Sequence, residues 1–559
     1  MSIHEGLPPR DPGEAVALDL EILRAKPRQI HRPYGEFGLL TLSTGKDTWI
    51  IREAAQVEKA LSHIRRARWV FHNASFDVRH LRRWAEVTPR QADHFWDTFL
   101  VEKILYGGWY GSFRLADLSR RHLGRLLEKE TRKEFATASS MTPEMVRYAL
   151  QDAPATLEIY KRQKKLMQAD PLSLKVWEQI DAPAFWATLD FQGIYLDQKR
   201  LLALADAWQA EADELKFKLR FNPGSPKQVL QVLRRAGIPV PDTEEKTLLS
   251  YRESPLVAQV LKYREVSKRA STYGRNLLDF VEEDGRIYSE FHTIGAETGR
   301  TSCSDPNLQN QIKTDEYRAC YRAARGSRMI KADYGSQEMR LSAQLSGDPE
   351  LRRAFEIGED IYTYVIRRVR NNSSIQRTDE KARRLGKDLA LGLDYGLSEY
   401  GLSKNAGISL LAARSLISEY FHKFPDMKRY LDNLWGRAQV DLYVRTPGGR
   451  KVWINPYSHQ ARNNAYNAPM QGGGADMIKL ALSRLHAQKK NREDFPIIGP
   501  IHDEILAEAP TRQARSLAGK ITEAMLWAYQ NLCPDVSTRG AVQVQVGPSW
   551  ANHEERRKK

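Results

Sequence analysis

The stretch GPIHDEILAEA (499–509) sets His502, Asp503 and Glu504 inside an otherwise apolar run. A carboxylate moved from water into a protein interior costs several kcal/mol unless it is paired, protonated or bound to a cation. A fold that buries the flanks must either leave these residues in a surface turn between two strands or give the acids a counter-charge. A second stretch poses the same problem. KADYGSQEMRLSAQLSGD (331–348) reads as an apolar strand running into Asp333 and then a helix. A third, HTIGAETGRTSCSDPNLQNQ (292–311), is loop-like and dense in hydrogen-bonding side chains.

At 559 residues the chain is too long for one core and implies about two to four domains. Its formal charge of +16 favours a polyanionic partner, because each neutralised phosphate releases condensed counterions. Cys303, Cys320 and Cys533 are scattered, with no CxxC or Cys/His cluster, which points to a reducing compartment and away from structural zinc. No run of 18 apolar residues suggests a membrane span, and MSIHEGLPPRDPGE lacks the basic-then-apolar order of a signal peptide. The expectation is a cytoplasmic, monomeric protein with no membrane partner.

The first 165 residues alternate apolar strands with amphipathic helices, an α/β pattern. AVALDLEI (15–22) and RWVFHNASFD (68–77) read as strands ending in polar residues, and PEMVRYALQDAPATLEIYKRQ (143–163) as a helix opened by proline. QADPLSLKVWEQIDAP, with Pro171 and Pro183, reads as a hinge. Residues 184–290 are mostly helical. SPKQVLQVLRRAG (225–237) has serine at the N-cap, proline at N1 and glycine at its end. Beyond residue 291 helical and strand-like segments mix around a basic helix, 379–393. In KARRLGKDLALGLDYG (381–396), Arg383, Lys387, Leu391 and Tyr395 recur every four residues and form one stripe, two cations followed by an apolar and an aromatic surface. That order suits a triphosphate, a sugar and a base. An amphipathic helix with a solvated basic face accounts for the cations but not for the closing Tyr-Gly.

DPNLQN, DYGSQEMR, the basic helix and HDE occur in the order and at the spacing of family A DNA polymerases, the family of bacterial DNA polymerase I, which this chain resembles. The resemblance implies a right-hand polymerase domain over 166–559, with the thumb at 184–290, the palm at 291–345 and 430–559, and the fingers at 346–429. It implies template-directed synthesis from dNTPs on primed DNA. In such chemistry charge builds on attacking and leaving oxygens, and two divalent ions about 3.5–4 Å apart stabilise both. Hard oxygen ligands point to Mg²⁺, with Mn²⁺ as substitute. By resemblance Asp333 and Asp503 bridge the ions with help from the Tyr334 carbonyl, and Glu504 is an auxiliary acid. Lys387 contacts the α-phosphate and protonates pyrophosphate, Arg383 reaches the terminal phosphate, and Tyr395 lies beside the nascent pair. Glu338 closes the space beside the sugar's 2′ carbon, its bland alternative being an ion pair with Arg340 or another base.

The resemblance also makes Arg300, Asn307, Gln309 and Gln471 minor-groove readers and places His502 with the DNA contacts. The minor groove shows nearly the same acceptors for every correct pair, so such donors test geometry without reading sequence. Four positions depart from the family pattern. Leu391 stands where phenylalanine or tyrosine is usual, Tyr362 where a phosphate-contacting histidine is usual, Gly335-Ser336-Gln337 differs from Ser-Gln-Ile, and Arg462 lies one place off the usual arginine. They imply altered selectivity rather than lost activity.

Asp19-Leu20-Glu21 puts two acids on one face of a strand, NASFD ends in Asp77, and Tyr148 and Asp152 are neighbours on one helix face. This set resembles the DEDDy 3′–5′ proofreading exonucleases of ribonuclease H-like fold, over residues 1–165. The resemblance makes Asp19, Glu21, Asp77 and Asp152 ligands of two further Mg²⁺ ions and Tyr148 the residue that positions the attacking water. The size of the chain, with no 5′ nuclease domain expected before residue 1, suggests a phage-like replicative polymerase. Nothing in the sequence designates a processivity factor or helicase. Rival readings are a family A polymerase with an inactive exonuclease, a single-subunit RNA polymerase, against which Glu338 and the exonuclease motifs argue, and a DNA-binding factor that kept the fold without catalysis.

Overall fold

The computed structural model describes residues 2–24, 34–87, 94–128, 130–489, 491 and 495–551. Near the N-terminus a six-stranded mixed sheet runs in the order Ser2–Glu5, Asp47–Ile51, Glu36–Ser43, Ala15–Leu23, Arg68–Phe71, Phe95–Asp97. Ala15–Leu23 is central, antiparallel to Glu36–Ser43 and parallel to Arg68–Phe71. Its Leu18, Leu20 and Ile22 are buried, which leaves Asp19 and Glu21 together on the opposite, half-buried face. The expected helix forms over Pro143–Ala169, capped by the Thr142 hydroxyl accepting from the Met145 N–H, with proline at its first turn. It packs against the central strand.

Two segments differ from their expected form. The strand read over 68–77 stops at Phe71, and Asp77 lies instead on a helix, Ala74–Leu81. Asn73 turns left-handed (φ 64°) between the two, and its N–H and that of Ala74 are both taken by the distant Asp97 carboxylate at 3.0 Å. The hinge read over 168–183 is nearly unbroken helix, Pro171–Lys175, Val176–Asp181 and Ala182–Leu189. Pro171 sits at a helix start, where its missing N–H costs nothing. Trp177, Phe185 and Trp186 pack around Phe95 of the six-stranded sheet, with ring centroids 4.9–5.7 Å away. Asp170 is bound by Arg445 and Lys451, and the fully buried Asp181 by Arg450 and Lys479. One apolar core runs through this junction.

The second sheet has four antiparallel strands in the order Ile497–Ile501, Glu504–Pro510, Ser327–Tyr334, Val542–Gly547. The helix Thr511–Leu532 packs on this sheet and in turn against the helix Ala461–Ala487. Gln198–Leu219 and Pro255–Thr272 form a separate antiparallel pair, and Pro226–Arg235 is capped by Ser225 as its sequence predicts. Glu380–Asp394 is capped by Asp379, buries Ala382, Leu385, Leu389 and Leu393, and packs on Ile361–Arg370. Among the described residues no helix is long and apolar enough to cross a membrane.

Candidate active sites

Ser327–Tyr334 and Glu504–Pro510 are neighbouring strands whose register sets Asp333 directly opposite Glu504. Ile501 pairs with Glu504, so His502 and Asp503 form a two-residue connection, with His502 left-handed at φ 62°. The Tyr334 N–H donates to the Asp503 carbonyl at 3.2 Å, which ties the turn to the strand that carries Asp333. The run GPIHDEILAEA is thus a hairpin turn, and its acids face another acid. Burial and the charges of Asp503 and Glu504 push Asp333 up to about 7. Burial also raises Glu504, against the pull of Lys331, Arg318 and a 2.6 Å hydrogen bond from the Trp550 indole. Burial and the nearby Lys313 lower His502.

A cleft of about 490 Å³ opens here, lined by Arg300, Gln309, Lys313, Asp333, Tyr334, Glu338, Tyr362, Lys387, Leu391, His502 and Asp503 among others. The Tyr362 ring lies 5.3 Å from the Arg383 guanidinium and 5.8 Å from the Lys387 ammonium, and burial raises its hydroxyl to about 12. Glu338 accepts from Arg300 at 2.8 Å, and burial together with the Glu338 charge raises the Tyr395 hydroxyl. Arg340 is occupied elsewhere, donating to the carbonyls of Gly335, Ser537 and Arg539.

Five expected residues stand outside the lining, one of them Glu504, which accepts from the Trp550 indole. Arg383 is held by Asp360 in two hydrogen bonds of 3.0 and 2.8 Å. Tyr395 caps its helix against Glu338, Asn307 caps a short turn by accepting from the Gln309 and Asn310 N–H groups, and Gln471 accepts from Thr298. Sequence reasoning passed over Lys313, Lys331, Arg318 and Trp550, which carry no motif. It also passed over Gly472-Gly473-Gly474, which sits mid-helix despite the usual cost of about 0.5–1 kcal/mol per glycine. A Cβ at Gly472 would lie 2.8 Å from the Thr298 carbonyl, and one at Gly474 2.5 Å from the Gln337 side chain, so only glycine lets these segments close around the cleft.

At the first sheet, the Asp77 carboxylate accepts from the Leu20 N–H at 3.0 Å, between Asp19 and Glu21. Burial, with the charges of Asp97 and Asp152 adding to it, pushes Asp77 up to about 7. Asp152 and Tyr148 are buried one turn apart on Pro143–Ala169, and Tyr148 packs on Phe135. Asp97 is the acid sequence reasoning missed. Its visible signal is the N-cap of Thr98–Tyr106, where it accepts from Phe99 at 2.9 Å.

A profile described as DNA polymerase family A matches residues 197–552, and one described as 3′–5′ exonuclease matches residues 9–168. The chain belongs to DNA polymerase family A. DNA polymerase I of Chloroflexus aurantiacus is 31% identical over 464 residues, 75% of this chain and 48% of that relative. The thermostable DNA polymerase I of Thermus aquaticus is 30% identical over 420 residues, 70% of this chain and 50% of the relative. The chain thus spans about half the length of these curated relatives. The POL domain of Pol1 from M. smegmatis, solved in complex with DNA primer-template and dNTP, matches with a TM-score of 0.84 at 26% identity, covering 98% of this chain and 100% of that one. These relatives are bacterial, and the phage-like affiliation expected from chain size is not borne out. The exonuclease domain followed by a polymerase domain is borne out.

Family A polymerase and exonuclease domains typically use divalent metal ions. Among the described residues no three Asp, Glu, His or Cys side chains form a ready-made metal site. Mg²⁺ in phosphoryl-transfer sites is held by one or two carboxylates, waters and the substrate's own phosphates, so a complete protein cage is not required. The donors fit: hard oxygens whose burial and mutual repulsion, which raise Asp333 and Asp77, a divalent cation relieves.

Proposed function

We propose that this chain extends a primer along a DNA template from dNTPs and removes mismatched 3′ ends, as a monomer in the cytoplasm. The right-hand division is part of that reading: thumb 184–290, palm 291–345 and 430–559, fingers 346–429. Two ions at each site, Mg²⁺ with Mn²⁺ as substitute, would supply charge neutralisation at the attacking and leaving oxygens, held by Asp333, Asp503 and the Tyr334 carbonyl at one site and by Asp19, Glu21, Asp77 and Asp152 at the other. Glu504, fixed by Trp550, is the auxiliary acid beside the first pair.

Lys387 lies at the triphosphate and donates a proton to departing pyrophosphate, and Arg383 exchanges Asp360 for the terminal phosphate. Tyr362 supports both cations. Leu391 and Tyr395 meet sugar and base, and Glu338 fills the space a ribose hydroxyl would need. Arg300, Gln309 and His502 follow the minor groove, with Asn307 and Gln471 shaping the loop and helix around them. At the exonuclease site Tyr148 orients the attacking water. The observation that carries this reading is one cleft lined by Asp333, Asp503, Lys387, Leu391 and Glu338, residues drawn from segments up to 170 positions apart. A cytoplasmic setting is supported by Cys303, Cys320 and Cys533, all buried free thiols.

The test is a mismatched primer on a DNA template with Mg²⁺ or a chelator, comparing wild type, Asp503→Asn and Asp19→Ala. Asp503→Asn should stop synthesis and still trim, Asp19→Ala should do the reverse, and chelation should stop both. Both substitutions leaving both activities intact would refute the site assignments.

A further inference from the structure

Asp394 ends the helix Glu380–Asp394 in the interior, 1% exposed, with no ion pair among the described residues. Its Oδ2 lies 2.5 Å from the Oγ of Ser342, which is fully buried on the neighbouring helix Gln337–Ser346. The same Oγ lies 3.0 Å from the carbonyl oxygen of Glu338, one turn earlier. A hydroxyl has one hydrogen to give and a carbonyl can only accept. Both contacts become hydrogen bonds only if Asp394 carries a proton and donates it to Ser342, whose own hydrogen then goes to the Glu338 carbonyl. Burial pushes Asp394 up to about 8 against the downward pull of the Ser342 contact, with the Glu338 charge adding to the rise, in the direction this count of hydrogens requires.

The contacts close a ring. The Glu338 carboxylate accepts from Arg300 and its charge acts on the hydroxyl of Tyr395, the residue after Asp394. The charged and titratable groups around Asp394 are Glu338 from Gln337–Ser346, Tyr420 from Leu410–Lys423, Tyr430 from Pro425–Asp441, and Asp348 beside Tyr420. Arg300, the base near Tyr395, is already engaged by Glu338. An ionised Asp394 would thus face an acid, the buried Tyr420 phenol and the partly buried Tyr430 phenol. It would also draw the Ser342 hydrogen away from the Glu338 carbonyl.

We propose that Asp394, as a neutral carboxylic acid donating to Ser342, is a positioning residue that holds Tyr395 and Glu338 in the arrangement that selects deoxyribonucleotides over ribonucleotides. This rests on the role given to Glu338 above. Asp394→Asn keeps the shape and a donor to Ser342 but cannot ionise, whereas Asp394→Ala removes the donor.

The experiment measures kcat/KM for a dNTP and its matching rNTP on one primer–template, from mildly acidic to alkaline pH, with trimming of single-stranded DNA as a control for folding. Wild-type discrimination should be high at mildly acidic pH and fall as pH rises and the ionised fraction of Asp394 grows, levelling off at alkaline pH. Asp394→Asn should show no such decline, and Asp394→Ala should discriminate poorly at every pH while still trimming. Discrimination that is independent of pH in wild type, or that declines identically in Asp394→Asn, overturns the role of Asp394. Wild type incorporating no dNTP at all would instead overturn the polymerase reading itself.

Discussion

The two acid clusters meet the same physical problem with different frames. At the cleft, Asp333 and Glu504 are fixed by the register of adjacent strands, and Asp503 by the turn that joins one of them to its neighbour. At the first sheet one strand supplies Asp19 and Glu21, while two separate helices bring Asp77 and Asp152. The surroundings differ as well. Lys331 and Arg318 act on Asp333, with Lys313 and Lys387 in the same cleft, whereas the side-chain charges acting on Asp77 are those of the acids Asp97 and Asp152. A triphosphate brings several negative charges into a site and a single diester brings one, so the cation-rich cluster suits nucleotide entry and the acid-rich one a strand end. The difference teaches that paired carboxylates alone do not tell the two chemistries apart; the cations around them do.

The sharpest way to break this comparison is to remove one acid from each cluster. Asp333→Asn should lower primer extension by about three orders of magnitude, the several kcal/mol that metal-borne stabilisation is worth, and spare trimming. Asp77→Ala should do the opposite, and a gel assay of both activities reads the pair. If either variant lost both activities while still folded, the clusters would not be separate sites.

The next largest effect concerns whether the two clusters share one frame. Asp181→Ala leaves Arg450 and Lys479 without the carboxylate between them and should cost about 3–5 kcal/mol in denaturant unfolding. Both activities should fall together on heating, and an exonuclease outlasting synthesis would mean that the junction does not weld the domains. Glu338→Ala sharpens the contrast from the nucleotide side. It should weaken discrimination against rNTPs by about 10-fold to 100-fold, the worth of a buried polar group left unsatisfied, without changing trimming.

The smallest effect is at Asp170. Burial alone would raise it, but hydrogen bonds from Arg445, Lys451 and Ser173 hold it well below the usual carboxylate range. A depressed acid stabilises the fold above its unfolded value near pH 4, and that contribution is lost as pH falls below it. The pair is partly exposed, so Asp170→Asn should cost about 1 kcal/mol at neutral pH. The deficit in melting temperature should shrink toward acid pH, and one that persisted unchanged would mean that charge is not what Asp170 contributes.

The cleft was readable because its signals are local. Acids at the ends of apolar strands and a four-residue stripe on the basic helix are each visible within a few positions. The first sheet was less so, because the strand ending at Phe71 and the helix holding Asp77 are separated by a turn whose N–H groups are taken by Asp97, 23 and 24 positions away. No window around NASFD contains that partner. The junction misled for the same reason: Pro171 and Pro183 look like breaks, yet the cations that pin Asp170 and Asp181 lie near residues 445–479. Glu338 had an arginine two positions on and took a different one, Arg300, because Arg340 turns to backbone carbonyls beyond the second sheet.

The order of charged and apolar residues along the chain was enough to place the acids at strand ends and to predict the basic helix, since both follow from short-range periodicity and the cost of burying charge, whereas the family came from the resemblance of a few ordered motifs. Which counter-charge each acid meets, which cations reach the cleft and whether Asp394 keeps its proton were settled only by packing. Those outcomes depend on distances between segments far apart in the chain, and electrostatic energies change steeply over a few ångströms in a poorly screened interior.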